Sequence, residues 1–169
     1  MPQISNDPKG CYRPNVGLMV LNTDLNVLMG HRIGKKWEFP YQMPQGGIDK
    51  GETPVQAAWR ELYEETGLSS KECDLICETT KWYFYDIPET STTYRNKFKG
   101  QKQKWFLFLL MKECPLDTTH QNPPEFSDFK WVEQDLVCDM VVPFKREVYK
   151  KVFKEFSAVL SYLSSNKKC

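Results

Sequence analysis

Residues 46–68, with the sequence GGIDKGETPVQAAWRELYEETGL, predict a helix between two glycine-containing loops. Thr53 is a good N-cap residue, Pro54 suits the first helical position, and Gln56 completes a capping box. Gly67 is the kind of C-terminal stop that forms a left-handed cap. The residues that follow helical spacing on one face are Val55, Ala58, Trp59, Leu62 and Thr66. This face should be the buried stripe of the helix.

Three glutamates, Glu61, Glu64 and Glu65, share a different face of the same helix. Like charges at i, i+4 destabilise a helix by roughly 0.2–0.5 kcal/mol, and the helix dipole disfavours acids in the last turn by roughly 0.3–1 kcal/mol. Arg60 offers the local compensation. A solvated acidic face would show the same residues. Converging carboxylates at an unfavourable position are also what a hard divalent cation such as Mg²⁺ requires.

The rest of the chain predicts several strands and one more long helix. The strand-like runs are 16–21, 27–32, 75–85, 103–112 and 128–133, with a short extended piece at 41–44. Pro143 opens an amphipathic helix that should extend to about residue 164. This combination predicts an α/β (α+β) fold, in which helices cover both faces of a mixed sheet in an α/β/α sandwich. A length of 169 residues fits a single domain over 1–169.

Composition excludes several classes of protein. The net charge of +1 indicates no polyanionic partner by itself. The first ten residues, MPQISNDPKG, lack an apolar segment, and the longest apolar run, 105–111, is too short to span a bilayer. We therefore expect a cytoplasmic protein with no membrane partner. The six cysteines are scattered without a second Cys or His pair that would complete a zinc site, so we expect reduced thiols.

The segment 46–68 reads G-x5-E-x7-R-E-L-x-E-E-x-G-L and resembles the Nudix box of the Nudix hydrolases at every defined position. The defined positions are Gly46, Glu52, Arg60, Glu61, Leu62, Glu64, Glu65, Gly67 and Leu68. The resemblance implies the α/β/α sandwich of that family. It also implies hydrolysis of phosphoanhydride bonds with Mg²⁺ as cofactor, for which Mn²⁺ or another divalent cation can substitute.

The resemblance also implies roles for individual residues. Glu61, Glu64 and Glu65 would be catalytic metal ligands, together with the backbone carbonyl of Gly46. Arg60 would pair with a box glutamate and hold its orientation. The residues expected to support the box are Glu52, Gly47 and Gly67. The two adjacent glycines suit a tight turn whose backbone approaches the metal.

Similarity to the bacterial RNA pyrophosphohydrolases, also described as dinucleoside polyphosphate hydrolases, extends over about residues 12–160. The blocks that carry it are 12–17, 37–39, 43–47, 100–106, 124–126 and 142–146. By this similarity Glu125 reaches the metals and is a candidate general base. Without it, Glu125 would read as an ordinary loop carboxylate. A box glutamate is the alternative base.

Basic and aromatic side chains favour a polyanionic substrate. Five cations fall within ten residues with aromatics between them: Arg95, Lys97, Lys99, Lys102 and Lys104, interleaved with Tyr94, Phe98 and Trp105. A solvated loop is an equal interpretation for Lys97 and Lys99. Lys102 and Lys104 would share one face of a strand and point into a cleft. The predicted substrate contacts are Arg13, Arg32, Lys102, Gln103, Lys104, Phe144 and Lys145. Core packing is the alternative for Phe144.

Three functional hypotheses follow from these residues. The first is an RNA 5′ pyrophosphohydrolase, which converts 5′-triphosphate or 5′-diphosphate ends to monophosphates and so promotes RNA decay. The second is a hydrolase of diadenosine tetraphosphate or pentaphosphate, because both substrates present a base, a ribose and several phosphates. The third is a catalytically silent module that binds polyphosphate or RNA, in which box carboxylates would normally be lost.

Overall fold

The computed structural model describes residues 7, 9–34, 38–90 and 97–167, which form a mixed sheet covered by helices. The strands of this part are β1 (Tyr12–Leu21), β2 (Val27–Arg32), β3 (Tyr41–Gln42), β4 (Gln45–Gly47), β5 (Cys73–Glu78), β6 (Tyr83–Asp86), β7 (Gly100–Leu110) and β8 (Phe126–Val132). The helices are α1 (Pro54–Thr66), α2 (Gln134–Met140) and α3 (Pro143–Asn166). Tyr94, Arg95 and Trp37, which the sequence motifs include, lie outside the described residues.

The central strand β1 changes its antiparallel partner along its length. Its end pairs with β2 at Leu21 and Val27, whereas its beginning pairs with β4, where Val16 lies opposite Gly46. On the other side, β1 runs parallel to β7 from Tyr12 to Leu21. The change of partner places the glycine pair of β4 beside the beginning of β1.

Two apolar layers lie on opposite faces of the sheet, as the sandwich prediction requires. Alternate residues of β7 enter different layers, because successive strand side chains point to opposite faces. Trp105 packs edge-on against Tyr149 of α3 with ring centroids 5.5 Å apart. Phe108 packs on the other face against Trp59 of α1, with centroids 4.9 Å apart. Each fully buried side chain of this size contributes roughly 1.5–3 kcal/mol.

The structure corrects one predicted strand and adds one helix that the sequence did not predict. The run 75–85 was expected to be one strand and forms two, β5 and β6, which pair with different parts of β7. At the break, the backbone N–H of Thr79 donates to the carbonyl of Trp105. The helix α2 was not predicted, since seven residues are too few to show a helical period.

Helix α1 has the predicted ends but a different buried face. The capping box of Thr53 and Gln56 is present, and Gly67 adopts the left-handed conformation with φ of 76°. The predicted stripe is buried at Ala58, Leu62 and Thr66, but Val55 is exposed and Trp59 is only half-buried. The additional buried residues are Ala57, Glu61 and Glu65. Two of the acidic side chains therefore face the interior.

None of the helices in the described ranges combines the length and apolar character needed to cross a membrane. The cysteines that the structure describes are all free thiols, as expected: Cys11, Cys73, Cys77, Cys114 and Cys138.

Replacing Gly67 by Ala should destabilise the protein more than replacing Gly51 by Ala. Both glycines have positive φ, 76° and 83°, where a non-glycine residue costs roughly 1–2 kcal/mol. A Cβ on Gly67 would also lie 3.1 Å from Cβ of Asp117 and 3.2 Å from Cδ2 of His120, whereas Gly51 has open space around it. Urea unfolding of the two variants measures the difference. Equal losses in the free energy of unfolding would contradict the tight contact at Gly67.

Candidate active site

A pocket of about 620 Å³ opens where β4 meets the beginning of β1. Its lining includes Glu61 and Glu65 of α1 and Glu125 from the connection that precedes β8. The predicted substrate residues that line it are Arg13, Arg32, Phe144 and Lys145. Distant parts of the chain thus place carboxylates and cations in one cavity.

Arg60 connects the helix to the glycine loop that precedes it. Its Nε and Nη2 donate to the two carboxylate oxygens of Glu52 over 2.8 and 3.0 Å. Its Nη2 also donates to the carbonyl of Gly47 over 2.8 Å, and its Nη1 donates to Glu61 and Glu64 over 2.8 and 3.2 Å. The hydrogen bonds with Glu52 raise the pKa of Arg60 further above its usual value, so the guanidinium stays charged. Arg60 lies where the box resemblance expected it.

The carboxylates of Glu61 and Glu65 are buried at 6% and 3% exposure. Burial raises the pKa of Glu61 to about 7, despite the hydrogen bond from Arg60. Burial also raises the pKa of Glu65 well above its usual range, and the charges of Glu61 and Glu125 add to the shift. Oε2 of Glu65 has no hydrogen-bond partner among the described residues. A buried acceptor left without a partner costs roughly 1–3 kcal/mol, and more when it is charged.

These residues fit a hard cation in their donor chemistry. The unpartnered oxygen of Glu65 is a free hard ligand in a pocket that is otherwise polar. Gly46 has no Cβ, and a Cβ at that position would overlap the carboxyl group of Glu61, so the loop backbone approaches the helix only as glycine. Within the described ranges, no group of three or more His, Cys, Asp or Glu side chains is already arranged to hold a metal ion. The complete ligand set therefore stays a prediction.

Lys145 also lines the pocket and is buried. Its Nζ donates to Oε1 of Gln42 over 2.8 Å and lies 3.4 Å from Oε1 of Gln45. Burial, followed by the charge of Arg32, lowers the pKa of Lys145 to about 7. Phe144 lines the pocket and also packs against Tyr85, with ring centroids 6.0 Å apart, and its contact with substrate stays a prediction.

Three predicted substrate contacts lie elsewhere. Nζ of Lys102 lies 3.4 Å from Asp7 and Nζ of Lys104 lies 3.5 Å from the carbonyl of Thr80, so neither points into the pocket. Gln103 is buried below the pocket, where it donates to Asn15 over 2.8 Å. The strand alternation was correct, but the glutamine face of β7 points toward the pocket and the lysine face points away.

A polar network beneath the pocket was not foreseen from the sequence. Nε2 of Gln45 lies 3.1 Å from Oε1 of Gln101 and 3.3 Å from the hydroxyl of Tyr85. The Tyr85 hydroxyl in turn donates to Gln101 over 2.6 Å. Gln121 also lines the pocket, and its Oε1 is buried without a partner among the described residues. The alternation of Gln101 and Gln103 along β7 is the signal that would have identified part of this network.

Residues 12–152 match the NUDIX domain family. The chain belongs to the Nudix family. It is 43% identical over 153 residues to the RNA pyrophosphohydrolase of Photorhabdus laumondii subsp. laumondii, with 88% of this chain and 85% of that protein covered. It is 43% identical over 152 residues to the RNA pyrophosphohydrolase of Erythrobacter litoralis, with 88% and 93% covered. The prediction of a Nudix hydrolase is therefore confirmed.

Solved Nudix structures share the fold of this Nudix hydrolase at low sequence identity. The C. elegans Ap4A hydrolase in a binary complex has a TM-score of 0.64 and 20% identity, with 88% of this chain and 98% of that chain covered. The E. coli dihydroneopterin triphosphate pyrophosphohydrolase has a TM-score of 0.65 and 21% identity, with 83% and 95% covered. A bifunctional NMN adenylyltransferase/ADP ribose pyrophosphatase from Francisella tularensis, complexed with AMP and Mn ion, has a TM-score of 0.60 and 21% identity, with 88% and 42% covered. The α/β/α sandwich is thereby confirmed.

Replacing Glu65 by Gln should stabilise the cation-free protein at pH 7.5 and should have little effect at pH 4, below the ordinary pKa of the carboxyl group. The raised pKa means that the folded state holds a proton that the unfolded state releases above its ordinary pKa of 4.5, so stability falls as the pH rises through this window. A neutral amide at this position avoids that loss, so the free energy of unfolding at pH 7.5 should rise by about 1–3 kcal/mol. Thermal unfolding without divalent cations at both pH values measures the effect.

The exposed Glu78 on β5 provides the matched control, because Glu78→Gln should change stability little at either pH. A Glu65→Gln protein less stable than the parent at pH 7.5 would contradict the unfavourable burial of this carboxylate.

Proposed function

We propose that this Nudix hydrolase removes phosphates from the 5′ ends of RNA in an Mg²⁺-dependent reaction, which leaves a monophosphate and promotes RNA decay. The observation that carries the proposal is the polarity of the pocket. Its lining combines buried carboxylates of α1 with the cations Arg13, Arg32 and Lys145. This arrangement suits a polyphosphate with a divalent cation, and the relatives at 43% identity are named RNA pyrophosphohydrolases.

The residues that would hold the cation are Glu61, Glu64, Glu65, Glu125 and the carbonyl oxygen of Gly46. When bound, the cation neutralises phosphate charge, lowers the pKa of water and stabilises the leaving phosphate. Mg²⁺ suits an all-oxygen site, and Mn²⁺ has similar ligand preferences. The unpartnered oxygen of Glu65 supports this ligand set, since it needs a positive partner.

Arg60 would keep the acidic residues in position. A guanidinium that contacts Glu61 and Glu64 limits their rotation, and its bidentate bond to Glu52 fixes the guanidinium itself. Because Gly47 also accepts from Arg60, the loop and the helix keep a constant separation. The catalytic contribution of such residues is positioning, as in other phosphoryl transfers.

The substrate would lie along the basic wall of the pocket. The guanidinium of Arg13 lies against the backbone of Gly47, since a Cβ on that glycine would be 2.5 Å from Nη2. Arg13 therefore contacts the loop next to the proposed cation site, where its guanidinium would bind a phosphate of the substrate. Lys145 would bind a further phosphate, and Phe144 would stack on a base.

Glu125 is the proposed general base. Glu61 and Glu65 are buried, whereas Glu125 is exposed at the pocket edge, where a carboxylate oxygen that is not bound to the cation can take a proton from the attacking water. Its backbone carbonyl accepts from Ile33 over 3.1 Å, which anchors the residue beside Arg32. A glutamate of the box is the alternative base.

Hydrolysis of diadenosine polyphosphates is the second candidate function. The same pocket would accept a nucleotide with several phosphates, and one structural neighbour is named an Ap4A hydrolase. A silent binding module is disfavoured. Such a module would have no use for buried carboxylates that cost stability, and all the box carboxylates are intact. With an RNA substrate, we place the enzyme in the cytoplasm.

A substrate panel should show turnover of 5′-triphosphorylated oligonucleotides with Mg²⁺ and none without it. The products, identified by mass, should be a 5′-monophosphate end with pyrophosphate or phosphate. Diadenosine tetraphosphate and pentaphosphate are the competing substrates. Rapid turnover of the dinucleotides with untouched RNA would establish the second function instead. Glu64→Gln provides the inactive control and should lose about 10²–10⁴-fold or more.

Lys145→Arg should alter the pH dependence of kcat/KM. The amine of Lys145 binds phosphate only when protonated, and its lowered pKa of about 7 means that this charge is lost above neutral pH. Arginine stays charged, so the ratio of parent to variant kcat/KM should fall between pH 6 and pH 9. Lys150→Arg, on the exposed side of α3, should give a constant ratio. A constant ratio for Lys145→Arg would show that its charge does not bind substrate.

A further inference from the structure

The connection from β7 to β8, residues 111–125, contributes its last residues to the pocket. Gln121, Pro123, Pro124 and Glu125, near its end, line the pocket. Glu61 and Glu65 belong to a rigid helix, whereas Glu125 belongs to this connection. If all three act on one phosphate, the connection must keep a fixed position relative to α1.

One anchor of the connection is the strand that follows it. Phe126 pairs with Arg32 of β2, and its ring lies against Gly30, where a Cβ would be 2.4 Å from Cδ1. The carbonyl of Glu125 accepts from Ile33. These contacts fix the backbone of Glu125 to β2, but they do not fix it to α1.

The other anchor lies at the C-terminal end of α1. The backbone N–H of Asp117 donates to the carbonyl of Thr66, the last residue of the helix, over 2.9 Å. The Asp117 carboxylate accepts from the backbone N–H and the hydroxyl of Thr119 over 2.8 and 2.6 Å, which closes a turn. The turn presents His120 to the side of the helix.

His120 contacts both the turn and the helix. Its ring stacks on Tyr63 with centroids 4.5 Å apart and an interplanar angle of 32°. Its Nε2 lies 3.2 Å from Oδ2 of Asp117, where either an Nε2–H tautomer or the imidazolium donates. Tyr63 directly precedes Glu64 in the chain, so the stack joins the connection to the turn of α1 that carries the acidic residues.

We propose that His120 holds the connection against α1 through its ring stack on Tyr63 and thereby positions Glu125 for hydrolysis. This inference rests on the proposed function, because it assigns Glu125 a role at the reacting phosphate. His120 does not itself line the pocket, so it acts as a positioning residue. A displacement of about 1 Å in a reacting group can cost 10²-fold in rate, which gives such a contact a measurable effect.

A double-mutant cycle of His120→Ala and Glu125→Gln tests whether His120 positions Glu125. In the parent, His120→Ala should lower kcat on a 5′-triphosphorylated oligonucleotide about tenfold, with KM changed less than about twofold. In the Glu125→Gln background the same substitution should lower kcat by less than about twofold, because the group that it positions is already absent. A purely structural role for His120 would give the same loss in both backgrounds.

Two further measurements locate the effect. Amide hydrogen exchange of residues 118–125 should become faster in His120→Ala while the exchange of α1 is unchanged. His120→Phe retains a ring that can stack on Tyr63 and should restore most of kcat. Glu113→Ala provides the matched control, since it removes a 2.7 Å contact with Thr23 near the start of the same connection. Its kcat and its exchange over 118–125 should match the parent.

Several results would overturn the proposed positioning role of His120. Equal losses in the two backgrounds, an unchanged kcat, a change confined to KM, or a phenylalanine variant as slow as the alanine variant would each do so. Glu125→Gln with full activity is a separate result. It would remove the role of Glu125 in the proposed function. Additive losses of kcat in the double-mutant cycle would instead exclude only the positioning role of His120.

Discussion

The contacts of Arg60 are the physical constraint on which the site depends. The glycine loop and the helix that follows it each place an oxygen near the same point, and like charges on the helix would otherwise repel one another. One guanidinium contacts Glu52, Glu61, Glu64 and the carbonyl of Gly47, so it offsets the repulsion and holds the two elements together. Loss of this guanidinium would leave the buried carboxylate of Glu61 without its positive partner. The same contacts therefore stabilise the fold and orient the acidic side chains.

The pocket holds several ionisable groups in unfavourable electrostatic environments. Burial raises the pKa values of Glu61 and Glu65 and lowers that of Lys145, so in each case the charged form is disfavoured without a partner. A polyphosphate with its cation supplies both missing partners at once. Perturbed groups of this kind concentrate at functional sites, where some stability is given up for activity.

The topology explains how a single pocket collects these groups. Strand β1 is parallel to β7 and antiparallel to β4, so Arg13, Gln101 and Gly47 come together although they are far apart in the chain. The polar network of Gln45, Gln101 and Tyr85 then joins the loop to the wall that carries Lys145. The glycine loop and Lys145 are therefore connected through hydrogen-bonded side-chain amides.

The amino-acid sequence by itself determined the helix α1 with both caps, the alternation along β7 and the spacing of the acidic residues. Each of these depends on neighbours a few residues away, through capping hydrogen bonds and the periods of helix and strand. Only the tertiary structure decided that Glu61 and Glu65 are buried, that Gln101 rather than Lys102 faces the pocket side, and that His120 stacks on Tyr63. A period identifies residues that share a face, but which face is covered depends on elements that are distant in the chain and meet only when it folds.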